Sequence, residues 1–242
     1  MSKELYPWQE DCLARWFSNG GRGMVQAVTG SGKTLLALTA ADRLNRALDN
    51  QLHIKIVVPT GALMRQWRRT LQEYLTDIAG KGADPACFRQ EIGLRGAGFS
   101  APPDRKYMIY VINSARYELA RQILAEVKSG IPVFLIADEC HRYESGQNRL
   151  IFEFLPYIKE HSRRFFSLGL SATLPTGQAK SYLASVLGKQ IYSYGMAQAA
   201  SLRQICYYDA FHIGLSFHAE ENDAYQNISD RMKILYSNLL HA

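Results

Sequence analysis

Short apolar runs alternate along this chain with longer stretches in which apolar residues recur every three or four positions. Residues 24–28 form the first apolar run, which ends in a glycine-rich turn. Residues 34–48 follow, with Leu35, Leu38 and Ala41 at helical spacing, and predict a helix. Residues 53–58 are rich in β-branched side chains; Pro59-Thr60-Gly61 then breaks the run and restarts the chain as a helix over 62–75. A strand over 107–112 and a helix over 115–127 come next. Residues 133–137 are apolar throughout, as expected of a parallel strand covered on both faces, and 164–170 read as another strand. Strands separated by crossover helices predict an α/β fold with a mostly parallel sheet and helices on both faces.

Two stretches depart from this rhythm. Residues 77–106 are rich in Gly, Pro and Ala and predict an insertion with one strand around 88–92. Gly93, Gly96 and Gly98 follow no strong strand and open no helix, so they predict a mobile loop rather than a phosphate cradle. Near the C-terminus, 204–217 predicts extended structure and 219–240 a long helix with an apolar side at Leu235, Leu239 and Leu240. The expected organisation is one domain over 1–217 and a linker helix over 218–242.

The strongest local chemistry is Ala27-Val28-Thr29-Gly30-Ser31-Gly32-Lys33-Thr34, between a strand and a helix. Gly30 and Gly32 let the backbone curl so that successive N–H groups face phosphate oxygens. The following helix adds the positive end of its dipole. Lys33 has the reach and charge to meet β- and γ-phosphates, and the Thr34 hydroxyl suits Mg2+. Thr29 and Ser31 complete the loop. Ala27 stands where the general pattern has glycine.

The 133–137 run leads directly into Asp138-Glu139-Cys140-His141. That position lies at the carboxyl edge of a parallel sheet, where open α/β folds bind ligands. There, Asp138 suits holding Mg2+ through its waters, and Glu139 suits orienting and deprotonating an attacking water. Phosphoryl transfer needs positioning and charge neutralisation above all, so Lys33, Thr34, Asp138 and Glu139 suffice in kind.

Bulk properties change this picture only slightly. The chain has 242 residues, of which 47% are hydrophobic, enough for a substantial core. A formal charge of +6 favours a polyanionic partner. The four cysteines, Cys12, Cys87, Cys140 and Cys206, form no Cys-x-x-Cys pair, so reduced buried thiols are expected rather than zinc or disulfides. The polar N-terminus and the absence of any run long enough to span a bilayer lead to the expectation of a soluble, cytoplasmic protein with no membrane partner.

In order and spacing, these segments resemble superfamily 2 helicases and translocases, specifically their N-terminal RecA-like ATP-binding lobe. Asp138-Glu139-Cys140-His141 looks like an Asp-Glu-x-His box. Leu5-Tyr6-Pro7-Trp8-Gln9 resembles the adenine-recognition segment. Val58-Pro59-Thr60 with Leu63 and Gln66-Trp67 resembles the next motif in restriction-enzyme motor subunits and related repair helicases. Val111-Ile112-Asn113-Ser114 is a looser match to a nucleic-acid-contacting segment, and Ser171-Ala172-Thr173 resembles the third motif. The resemblance implies ATP and Mg2+ as ligands, with Gln9 reading the adenine edge. It also implies nucleic-acid contacts from Pro59, Thr60, Gln66 and Ser114. His141, Ser171 and Thr173 would couple hydrolysis to movement. DNA is favoured over RNA on the restriction-like character of the Val58-Pro59-Thr60 and Gln66-Trp67 segment. Restriction or repair subunits are the partners this implies.

Trp67 reads as a core residue more readily than as a contact. Arg65, Arg68 and Arg69 are equally compatible with a solvated helix face and with phosphate binding. Motors of this kind use a second lobe whose arginines reach the γ-phosphate, and no such series follows Thr173. The expectation is therefore a fragment that binds Mg-ATP, hydrolyses it weakly and does not unwind duplexes alone. The competing readings are a nucleotide-dependent binding module without motor activity and an unrelated phosphate-loop enzyme such as a nucleotide kinase.

Overall fold

The computed structural model describes residues 4–80, 84–205, 213–214 and 216–240. They fall into two compact units that divide after Cys206. The first is built on an eight-stranded sheet of β1 (Arg22–Ala27), β2 (His53–Val58), β3 (Ile92–Gly96), β4 (Phe99–Ser100), β5 (Tyr107–Val111), β6 (Val133–Asp138), β7 (Phe165–Ser171) and β8 (Gln190–Tyr194). Their spatial order is β4-β3-β5-β2-β6-β7-β1-β8. Every pairing is parallel except β3 with β4. The carboxyl ends of β1, β7, β6, β2 and β5 therefore meet along one edge of the sheet.

Alternation along each strand supplies two cores. Ile54, Ile56 and Val58 of β2, with Phe134 and Ile136 of β6, face one layer. That layer contains α1 (Pro7–Ser18), α2 (Lys33–Ala47) and α3 (Gly61–Ala79). Val57, Val133, Leu135 and Ala137 face the other. It contains α4 (Ile112–Ala115), α5 (Glu118–Lys128) and α6 (Gly177–Leu187), together with 3-10 turns between 140 and 164. A further short helix, α7 (Met196–Ser201), follows β8. In α3, the side chains of Met64, Trp67, Leu71 and Leu75 recur at three- and four-residue spacing, and these are the ones buried.

One polar residue interrupts the second core. Lys55, in the middle of β2, is fully buried, and its ammonium lies 2.8 Å from Glu126 Oε1 on α5. His53 Nδ1 lies 3.1 Å from the same oxygen, and Gln122 Nε2 donates to it at 3.0 Å. Glu126 Oε2 is buried and has no hydrogen-bond partner among the described residues.

The predicted strand around 88–92 is displaced. Pro85–Gln90 forms a 3-10 turn capped by Asp84, and the strand starts at Ile92. The glycines expected in a mobile loop instead form part of the sheet and its hairpin. Gly93 lies in β3, where an added Cβ would collide with the Met108 sulfur, and Gly96 and Gly98 take positive φ at the turn. Of the region expected to be extended, 206–212 and 215 lie outside the described residues; 204 and 205 form a bend.

Cys12 and Cys140 are buried, and burial pushes both thiols up to about 12; Cys87, contrary to expectation, is exposed. Cys206 lies outside the described residues. No helix among those described is long and apolar enough to cross a membrane.

The second unit contains α8 (Ala219–Leu240). The His218 N–H donates to Glu221 Oε2 at 3.1 Å, and Phe217 stacks on Tyr225 with ring centroids 5.4 Å apart. Ile228, Met232 and Leu235 recur at helical spacing. The side chains of Leu239 and Leu240 lie outside the described set.

Candidate functional site

The loop after β1 curls around its own lysine. Gly30 and Gly32 have φ of +82° and +90°, a region that residues with a Cβ adopt only under strain. Gly32 is the N-cap of α2, whose first residue is Lys33. The Lys33 ammonium donates to the carbonyls of Ala27 (2.8 Å) and Val28 (3.2 Å). Burial lowers its pKa, while the charges of Glu139 and Asp138 oppose that shift. Ser31 is buried and donates to the Val28 carbonyl at 2.7 Å. Thr29 and Gly30 are exposed at the mouth, with Thr34 half-buried behind them.

Gln9 packs directly beneath this loop and is fully buried. Its Oε1 accepts from the Tyr6 N–H at 2.8 Å, and its Nε2 donates to the Gly32 carbonyl at 3.0 Å. An added Cβ at Gly32 would stand 2.7 Å from Gln9 Nε2, so glycine is required on both conformational and steric grounds. The neighbouring Trp8 stacks on Tyr194 at 4.6 Å, which fixes α1 against β8.

Across β7 from the loop, Asp138 ends β6. It is largely buried, and burial raises its pKa. Oδ2 accepts the indole N–H of Trp67 at 2.7 Å, and Oδ1 accepts the Glu139 N–H at 3.1 Å. The Tyr143 hydroxyl sits between the main-chain carbonyls of Asp138 (2.6 Å) and Val57 (2.9 Å), tying the ends of β6 and β2 together. Glu139 has φ of +51°, a costly conformation for a residue with a side chain and one that concentrates at functional sites.

His141 lies between this acid box and the turn after β7. Its Nδ1 is 2.9 Å from Ser171 Oγ and 3.4 Å from Glu139 Oε2. The Ser171 Oγ also accepts the Thr173 N–H and lies against the Thr173 carbonyl, so it links His141 to the turn after β7. The residues expected from sequence to couple hydrolysis to movement are thus in direct contact.

Of the residues expected to meet nucleic acid, Pro59, Thr60 and Ser114 follow the carboxyl ends of β2 and β5, and Gln66 lies further along α3. Thr60 is exposed and caps α3, accepting the Leu63 N–H at 3.3 Å. Pro59 is half-buried, and Gln66, Arg65, Arg69, Asn113 and Ser114 are exposed. The β3–β4 hairpin, which the sequence reading set aside, also reaches this edge. A Cβ on Gly61 would meet Ala97 at 2.8 Å, and one on Gly96 would meet Ser114 Oγ at 2.7 Å. The cluster of three closely spaced glycines was the available signal for this close packing.

A glycine-rich loop and an acid box on strands either side of β7, with His141 joining the acid box to the turn that ends β7, are arranged as in the N-terminal lobe of a superfamily 2 helicase. Residues 2–176 match the family described as type III restriction enzyme, res subunit, and the chain belongs to it. It is 27% identical over 233 residues to the DNA 3'-5' translocase XPB2 of Sulfurisphaera tokodaii, covering 95% of this chain and 44% of that protein. Among solved structures it resembles the Pyrococcus furiosus Hef helicase domain at 17% identity and a TM-score of 0.53. That match covers 84% of this chain and 40% of the other. It also resembles the UvsW helicase of bacteriophage T4 at 21% identity and a TM-score of 0.51, covering 78% of this chain and 60% of that one. Both likenesses are of fold. The chain spans less than half the length of the curated relative it matches.

Proposed function

We propose that this chain is the nucleotide-binding half of a DNA translocase or helicase, and that it hydrolyses ATP with Mg2+ at the junction of β1, β6 and β7. The observation that carries this reading is the contact of His141 with Ser171, because it joins the acid box to the turn after β7. The match of residues 2–176 to the restriction res-subunit family weighs against an unrelated nucleotide kinase. The name of the Sulfurisphaera relative supports DNA as the polymer, and its greater length supports a second lobe that completes the motor.

The side chains fit the ligands. Gly30 and Gly32 form a cradle that a Cβ would strain. The Thr34 hydroxyl and Asp138 carboxylate are hard oxygen donors. Among the described residues no three His, Cys, Asp or Glu cluster as a metal cage, which suits a cation that keeps its waters and phosphate ligands. Bound magnesium would neutralise charge on the β- and γ-phosphates. Lys33 exchanges the Ala27 and Val28 carbonyls for phosphate oxygens. Glu139 accepts the proton of the attacking water, and its backbone N–H steadies Asp138. Gln9, fully buried, holds the loop from below through the Gly32 carbonyl, so an adenine contact would require its amide to become exposed on binding. Thr60, Pro59, Gln66 and Ser114 line the edge that contacts the strand.

The test is Glu139→Gln, assayed with and without single- and double-stranded DNA and RNA. The expected result is unchanged ATP binding and turnover reduced by about 10²–10⁴-fold. Turnover unaffected by the substitution, or, in a two-lobed protein carrying this chain, unaffected by every nucleic acid, would defeat the reading.

A further inference from the structure

Trp67 stands apart from its neighbours on α3. The helix begins at Thr60, on the edge proposed to meet nucleic acid, and Gln66 and Arg69 point outward from it. Trp67 points the other way. It is almost fully buried, and its indole N–H meets Asp138 Oδ2 at 2.7 Å, across 71 residues of chain. Packing calls for a large apolar side chain at this position but leaves the indole N–H unexplained. A buried carboxylate with one oxygen aimed at an N–H donor does account for it, because hydrogen bonds to ionised acceptors are the strong ones.

The two ends of this arrangement belong to one continuous helix. Thr60 and Trp67 lie about 10 Å apart along a helix rising about 1.5 Å per residue. A contact that shifts the first turn of α3 therefore shifts the indole. Asp138 has few ways to absorb the change. Its Oδ1 is held by the Glu139 N–H, and its main-chain carbonyl is held by Tyr143. Resting on the function proposed above, we infer that Trp67 is a positioning residue through which nucleic acid bound at the start of α3 and Mg-nucleotide bound at Asp138 sense one another. Such coupling is reciprocal: each ligand changes the affinity for the other by the same factor.

The experiment measures the Kd of single-stranded DNA for this chain by anisotropy, with and without Mg-ADP. The Mg2+ dependence of ADP binding is measured by calorimetry, with and without DNA. The unaltered chain is expected to show a coupling factor of at least about fivefold, the lower end of the usual range. In Trp67→Phe the factor is expected to fall to about one, while ADP affinity without Mg2+ stays unchanged. If Trp67→Phe fails to fold, a benzothienylalanine at position 67 removes the N–H donor and keeps the shape. Full coupling in either folded variant overturns the role of Trp67 and leaves the motor reading standing. No affinity of the unaltered chain for Mg-ADP overturns both.

Discussion

Replacing Glu126 with Gln leaves the Lys55 ammonium buried in β2 without a counter-charge. The ion pair is 2.8 Å long, the lysine side chain has no exposure, and that of Glu126 is only 10% exposed. Removing one partner of such a pair costs about 3–5 kcal/mol, because the remaining charge stays desolvated. For a domain of this size each kcal/mol lowers Tm by about 2–4 °C, so the expected fall is roughly 6–20 °C. Urea unfolding followed by tryptophan fluorescence gives the free energy directly. Adding Lys55→Met to the variant should recover most of the loss, since it removes the stranded charge.

The pH dependence follows from the same cluster. Burial alone would raise the Glu126 carboxyl, but His53 and Lys55 outweigh it and hold the group below its ordinary 4.5. A lowered carboxyl contributes stability that is full above that ordinary value and is lost as pH falls through the lower folded value. Burial lowers Lys55, and Glu126 opposes that shift. In Glu126→Gln the lysine falls further and sheds its proton more readily, so the destabilisation should be larger at about pH 6 than at about pH 9. A variant within about 1 kcal/mol of the parent at about pH 6 would refute the reasoning.

Three further outcomes are expected. Lys33→Ala removes a charge-assisted phosphate contact of about 1.5–3 kcal/mol, so ADP affinity measured by calorimetry should fall about 10–150-fold. In a two-lobed protein carrying this chain, His141→Ala and Ser171→Ala should each abolish DNA stimulation of turnover with nucleotide affinity intact, and the double variant should lose no more than either single one. Gly188→Ala forces a side chain to φ of +99° and places its Cβ 2.8 Å from the Gly23 nitrogen, so chemical denaturation should show a loss of at least roughly 1–3 kcal/mol.

The buried strands were legible because alternation and apolar runs left little choice. The prediction for β2 matches to the residue, and those for β6 and β7 are within a residue at each end. β8 carried no such signal, since Gln190-Ile-Tyr-Ser-Tyr is an only partly buried edge strand. β3 starts later than the expected strand around 88–92, because Asp84 caps a 3-10 turn over Pro85–Gln90 there. Lys33, Asp138 and His141 could be found because each belongs to a local run of residues. The Trp67–Asp138 bond could not, because nothing near position 67 reports a partner 71 residues away. The ion pair in β2 was hidden for the same reason, as a lysine inside an apolar run gives no sign of what neutralises it.

The strand order also dictates when this site can exist during synthesis. β1 carries the phosphate loop, yet its only partners in the sheet are β7 and β8. Arg22 and its neighbour Ser167 are 145 residues apart. On a ribosome adding about 5–20 residues per second, β1 waits roughly 7–30 s for its first partner. Throughout that interval Met24 and Val25 have no strand to lie against, and Lys33 and Asp138 belong to no common surface. Nucleotide therefore cannot stabilise the nascent chain until β7 has emerged, and the newborn protein must keep an unpaired apolar strand from aggregating in the meantime.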